Sequence, residues 1–199
     1  MRVRLEKAFP IDAPASAAWG LLRDIKGVAE CMPGAQITER VDDTHYKGQV
    51  SVRLGPATAT FRGTIEVKRV DADQQQIQIS GTGSDVTGSS AANMDLSAQI
   101  RQTTDGKCEV VGVSEITVSG KLANFGGRMM TQVSDQLLKQ FGANFANRVL
   151  ATGAGAAAEK AAATVAAQPK ALNGFALLWQ IVIGFFKSFF GGGKSNTVG

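Results

Sequence analysis

The chain reads as a long run of period-two alternation set between two stretches of helical period. Val3, Leu5, Phe9 and Ile11 alternate with charged or small residues, the pattern of a strand with one face buried. Asp12 and Pro14 then supply helix-start signals, and Ala17 to Leu22 continues a short helix. A second short turn or helix, around Ile25 to Glu30, stops at Pro33-Gly34. From there the period predicts strands over 36–41, 44–54, 57–70, 75–83, 90–102 and 108–119. Asp42-Asp43, Gly55-Pro56, Asp71 to Asp73 and Asp105-Gly106 supply turn chemistry between them. Connections this short favour an antiparallel meander. One face of it reads Tyr46, Val50, Val52, Leu54, then Phe61, Ile65, Val67, then Ile77, Ile79. It continues through Met94, Leu96, Ile100 and ends on Val110, Ile116, Val118.

Residues 124–151 return to helical period. Met130, Val133, Leu137, Phe141, Phe145 and Val149 recur at steps of three or four, and Asp135, Gln136, Lys139, Asn144 and Asn147 mark the wet side. A sheet with one apolar face and a helix with a matching stripe cover each other. The expected fold class is therefore α+β: a strongly curved antiparallel sheet wrapped around a long C-terminal helix, with two small helices near one end.

After Leu150 the composition changes. Eleven of the 21 residues from Ala151 to Ala171 are Ala, and Pro169 ends whatever helix forms. This leaves a domain over 1–152, then an Ala-rich linker over 153–171, partly helical or a flexible tether. Residues 172–190 are again apolar, with Asn173, Gln180 and Lys187 seven apart, so a helix there carries one narrow polar stripe. Phe175, Leu178, Trp179, Val182, Phe185, Phe186 and Phe189 cover its other faces. A helix packed on its own domain or on a partner would share that pattern. Its place behind an Ala-rich segment favours an amphipathic membrane-binding tail, and it is marginal for a true span. Residues 191–199 are expected to be disordered.

Charge supports the same division. The net charge is +4, and residues 168–199 hold Lys170, Lys187 and Lys194 with no Asp or Glu. The cations thus flank the apolar tail, which suits an anionic membrane surface and argues against nucleic acid as a partner. The first residues carry no apolar export segment, and Cys31 and Cys108 have no metal-type or disulfide-scaffold spacing. The expected location is cytoplasmic, attached peripherally to the inner face of the cytoplasmic membrane.

Catalytic patterns are poor. His45 is the single histidine and stands beside Asp42-Asp43 at a strand start, as a surface residue would. Gly81-Thr82-Gly83 with Gly88 lies between strands, so a dinucleotide loop fails on context. Ser89-Ser90 reads as a turn rather than a nucleophile. The apolar face instead contains small residues: Ala57, Ala59, Gly63, Gly81, Gly83, Ala92, Ala98 and Gly112. These either admit close helix packing and bend the sheet, or leave an apolar cavity. The candidate cavity residues from the sheet are Tyr46, Val50, Val52, Phe61, Ile65, Ile79, Met94 and Leu96. Those from the loops and long helix are Met32, Phe125, Met129, Met130, Val133, Leu137 and Phe141. Tyr46 and Arg62 are candidates to hold a polar head group, though alternation puts Arg62 opposite to Phe61. The residues describe a binding module rather than an enzyme.

Three motifs carry a resemblance over about residues 1–150: Cys31-Met32-Pro33-Gly34-Ala35; Leu54-Gly55-Pro56 with Phe61-Arg62-Gly63; and Gly120 to Arg128 (GKLANFGGR) leading into the long helix. Val133-Ser134 and Gln140-Phe141 continue it. In these the chain resembles the carbon monoxide dehydrogenase G-subunit family, within the START-like superfamily of polyketide cyclases and lipid-transport proteins. The family pattern more often has Pro at the position of Leu122 and Gln at that of Asn124, which bears on the loop entering the helix. The resemblance implies a helix-grip fold with an internal hydrophobic cavity. It also implies association with a molybdenum-containing carbon monoxide dehydrogenase or a related hydroxylase at the cytoplasmic membrane, and it implies no active site. Two functions follow as expectations. In one, the domain carries a respiratory quinone, menaquinone or ubiquinone, bound without covalent attachment, between membrane lipids and the dehydrogenase. In the other, it is an adaptor that recruits the dehydrogenase to the membrane. A cyclase-like or hydrolase-like enzyme would need an acid/base pair in the cavity.

Overall fold

A computed structural model describes residues 1–54, 57–125, 127–153 and 156–167. The chain opens with strand β1 (Arg2–Ile11) and the helices α1 (Ala15–Leu22) and α2 (Ile25–Cys31). The strands β2 (Ala35–Arg40), β3 (His45–Leu54), β4 (Ala57–Asp71), β5 (Gln76–Asp85), β6 (Ser90–Gln102) and β7 (Cys108–Gly120) follow. A short 3₁₀ helix, Lys121–Phe125, leads into α3 (Gly127–Ala151), and α4 (Ala156–Ala167) comes last. The strands form one antiparallel sheet in the order β1-β7-β6-β5-β4-β3-β2. It is a meander in which only β1 crosses to the far edge.

The predicted apolar face is a real one. Tyr46 pairs with Ile65, Val50 with Phe61, Ile79 with Leu96, Met94 with Ile116 and Ile100 with Val110. Strand bounds agree closely, except that β5 runs on through Ser84 and Asp85, which still pair with Arg62 and Phe61. Two start signals differ from expectation. Asp12 does not cap α1; Pro14 holds the N-cap position in extended conformation without a side-chain cap, and Asp12 pairs with Lys107 at 2.9 Å. The long helix begins at Gly127 rather than 124, because the preceding residues form the 3₁₀ turn.

The core lies at one end of the sheet. Ile11, Leu22, Ile25, Cys31, Ile100, Val110, Phe145 and Val149 are all buried there. Phe141 sits between Phe9 and Phe145, with ring centroids 6.1 and 5.7 Å away. Gly142 makes this approach possible: a Cβ at that position would collide with the Phe9 ring. Polar ties fix the same half of α3 to α2, with Asn144 Nδ2 donating to the Cys31 carbonyl at 2.9 Å and Arg148 pairing Glu30 at 2.6 Å. Lys7, on the inner row of β1, meets Asp135 of α3 at 2.9 Å, and Asp135 stays exposed as expected; Asn144, half-buried by its bond to Cys31, leaves the wet side assigned to it. Burial raises both thiols, Cys31 to about 11, with its Sγ donating to the Gly27 carbonyl at 3.3 Å. They are packing groups, not nucleophiles.

Of the segment 153–171 read as a linker, Ala156–Ala167 is helix α4, packed against α3 with Ala158 and Ala161 buried. The compact unit accordingly extends to residue 168 rather than 152. The tail over 172–190, its seven membrane-facing candidates, and the end 191–199 lie outside the described residues. No helix among the described residues is long and apolar enough to cross a membrane.

Candidate functional site: an apolar cavity under the long helix

Away from the core, the sheet and the N-terminal half of α3 separate and leave a cavity of about 320 Å³. Its floor comes from β2 to β7, its roof from Met130, Val133, Ser134 and Leu137 of α3, and Leu122 closes one side. Eight sequence candidates stand in the wall: Val50, Val52, Phe61, Ile65, Met94, Met130, Val133 and Leu137. All eight are only half-buried, so the cavity is open to one side.

The other seven lie elsewhere. Phe141 and Ile79 pack against the core. Leu96 pairs with Ile79 and Ser114 on the inner face but stands outside the wall. Met32 follows α2, and Met129 lies one residue from Met130 on the helix, so neither reaches the wall. Phe125 is 41 % exposed on the 3₁₀ turn. Tyr46 stands in a separate polar cleft of about 540 Å³ with Arg23, Lys26, Glu39 and Arg40, its hydroxyl 3.4 Å from the Asp43 carbonyl. Conversely, Ile37, Ile116 and Val118 belong to the wall without being among the cavity candidates. Their inner-face register was the available signal for the last two.

The small residues divide by mechanism. A Cβ on Gly81 would find nothing nearer than Met94 Cε at 3.5 Å, so this glycine leaves space. Gly63 and Gly83 face each other across β4 and β5, and a Cβ on Gly63 would meet the Thr82 carbonyl oxygen and stand 2.6 Å from Gly83 Cα. That pair serves close strand approach. Ala92 lines the cavity, whereas Ala98 is buried in the core.

The wall offers almost no reactive chemistry. Gln49, Arg62, Thr64, Thr82 and Asn93 contribute to it but belong to the outward rows of the sheet, as the 3.1 Å hydroxyl contact between Thr64 and Thr82 shows. Arg62 is exposed, as alternation required. Among the described wall residues there is no carboxylate, imidazole or thiol. His45 is exposed at the start of β3, its Nδ1 2.9 Å from the Asp42 carboxylate. The Thr44 N–H holds that carboxyl well below the usual range. No group of residues able to hold a metal occurs among the described residues.

One polar knot shapes the rim, and sequence reasoning missed it. Asp85, 8 % exposed at the end of β5, accepts from Ser89 Oγ at 2.6 Å, Thr87 N at 2.7 Å and Thr87 Oγ1 at 2.8 Å. Ser89 and the Thr87 backbone and hydroxyl pull its carboxyl down to about 2. The turn continues with Gly88 at φ +72°. The Asp-Val-Thr-Gly-Ser run was the legible signal. The knot then seats the 3₁₀ helix: Lys121 N donates to the Ser89 carbonyl and Leu122 N to Ser90 Oγ, both at 3.0 Å. A lowered carboxyl pKa stabilises the fold above the ordinary Asp value of 3.8, and that stability fades as pH falls toward about 2. Asp85→Asn should therefore unfold at lower urea than the parent near neutral pH. The two midpoints should converge in acid, and a constant gap across pH would show that charge is not the cause.

Residues 8–150 match the family described as the carbon monoxide dehydrogenase G-subunit, CoxG. No curated protein matches the chain. Among solved structures, a conserved protein from Geobacillus kaustophilus superposes with a TM-score of 0.66 at 17 % identity, covering 74 % of this chain and 95 % of that one. An aromatase/cyclase from a Streptomyces species superposes at 0.51 with 14 % identity, covering 75 % and 96 %. Ara h 8.0201 superposes at 0.50 with 12 % identity, covering 76 % and 100 %. The fold is the START-like helix grip.

Proposed function

The chain belongs to the carbon monoxide dehydrogenase G-subunit (CoxG) family, and from that premise we propose that it is a membrane-associated carrier for a hydrophobic ligand. The ligand is a respiratory quinone, taken from the cytoplasmic membrane, presented to a molybdenum-containing carbon monoxide dehydrogenase and returned. The family description supports the dehydrogenase as partner. The observation that carries the reading is the cavity, apolar and open on one side. At about 320 Å³ it lies at the small end of ligand sites, which run from roughly 300 to 1,000 Å³. That suits a ring system and a short run of chain, with the rest of a long tail lying along the open side. Each CH₂ so covered contributes roughly 0.8 kcal/mol over exposure to water. The lack of an acid/base pair in the described wall supports a carrier over an enzyme. The amphipathic stretch 172–190, flanked by Lys170 and Lys194, supports attachment to the inner face of the membrane.

Mass spectrometry of an organic extract of the full protein, purified from a quinone-containing host, tests this. A near-stoichiometric isoprenoid quinone is the expected result. An empty extract from folded protein would sink the carrier reading and leave recruitment of the dehydrogenase to the membrane as the function.

A further inference from the structure

We infer that the domain itself docks on an anionic lipid surface, through the end of the sheet where the cavity lies. Docking there rests on the carrier reading, since it is how the cavity reaches the bilayer.

Five residues make the surface. Val86 and Phe125 are 53 and 41 % exposed. Arg53, Lys121 and Arg128 are exposed, and none makes an ion pair among the described residues. Hydrogen bonds gather their elements at one end. The Val86 N–H donates to the Thr60 carbonyl of β4 at 2.8 Å, and Lys121 N to the Ser89 carbonyl of the neighbouring turn at 3.0 Å. Arg53 stands opposite Thr58, one pair before the end of the β3–β4 ladder. The cavity wall reaches this end through Leu54, Phe61, Leu122 and Met130.

Charge is distributed along the sheet in the matching sense. The turns at the opposite end, 41–44, 72–75 and 103–107, carry Asp42, Asp43, Asp73 and Asp105 against Lys107. At the cavity end the described part of 84–92 has one acid, Asp85, enclosed by its own turn, and 116–134 has none. Exposed apolar side chains ringed by unneutralised cations fit the interface of an anionic bilayer. An approach guided by this field brings the open cavity to the lipid and points the acidic turns to water.

Site-specific fluorescence on the full chain tests it. Cys31 and Cys108 are buried, so an environment-sensitive thiol dye placed through Phe125→Cys, or separately Val86→Cys, labels that position alone. A third protein carries the dye through Val41→Cys, 51 % exposed at the opposite end. With phosphatidylcholine–phosphatidylglycerol vesicles, the dyes at 125 and 86 should brighten, shift to the blue and escape iodide quenching. The dye at 41 should not change. Replacing Arg53, Lys121 and Arg128 by Gln should weaken the docked state by roughly fivefold for each cation. Dyes at 125 and 86 that stay in water, on vesicles with which the protein floats, would overturn the inference and leave the cationic end for an acidic protein surface. The carrier reading would survive that result, since it falls only with an empty extract.

Discussion

Gly81→Leu should abolish binding of a hydrophobic probe while leaving the domain folded. Gly81 lies on the inner row of β5, between Ile65 and Met94 of its neighbours, and lines the cavity. A Cβ there meets nothing nearer than the Met94 methyl, at 3.5 Å, so a larger side chain extends into space rather than backbone. Glycine within a strand costs roughly 0.5–1 kcal/mol relative to Ala, and the new side chain buries apolar surface. Stability should hold or rise by about 1 kcal/mol. Affinity for a short-chain quinone should fall more than about tenfold, or 1.4 kcal/mol. Fluorescence titration beside urea unfolding reads both. Unchanged affinity in a folded variant would mean that the ligand binds elsewhere.

The second large effect lies on α3, beyond the cavity roof. Phe145→Ala removes a ring only 1 % exposed, packed against Phe141 and inside the core cluster. Burial of this kind is worth about 3–5 kcal/mol, a large part of a total stability near 5–15 kcal/mol. Leu137→Ala, by contrast, trims a half-buried residue of the cavity roof. It should cost about 1 kcal/mol and alter ligand affinity instead. Chemical denaturation of the two variants compares the halves of α3. Equal costs would mean that the roof is as tightly packed as the core, and the cavity would have no place.

That contrast marks where the sequence stops being informative. Met130, Val133, Leu137, Phe141, Phe145 and Val149 form one unbroken stripe, and its period identifies the buried face of α3. Nothing in the residue types says that the first three roof a cavity and the last three fill a core. The division depends on how far the helix stands off the sheet, and that is set by Gly142 beneath Phe9 and by the ties of Asn144 and Arg148 to α2. Those are contacts between segments distant in sequence. The strands were legible because each inner row keeps its period, so Val50–Phe61 and Met94–Ile116 could be placed on one face. The same rule explains why Ile79 and Leu96, which share that face, were read as cavity residues, although Ile79 packs against the core and Leu96 stands outside the wall. Asn144 reads as a wet residue of α3, yet its side chain is drawn to the Cys31 carbonyl of α2. The Ala-rich segment was ambiguous because Ala favours helix without declaring a partner; α4 packs on α3 with the small side chains of Ala158 and Ala161 buried.

The strand order has a consequence for how the chain is made. Five of the six strand pairings join neighbours in sequence and close as hairpins, each with a short loop. The sixth, β1 on β7, joins residues roughly a hundred positions apart and pays the largest loop-closure entropy. The sheet that floors the cavity is therefore assembled from local pairings, whereas Phe9 and Ile11 reach their core partners Val110 and Phe145 only once β7 and α3 exist. On the ribosome, β1 has no partner until nearly the whole domain has emerged. A chain arrested before β7 would present an unpaired apolar strand, and one arrested within α3 an uncovered inner face, so each of these two steps removes a separate route to aggregation.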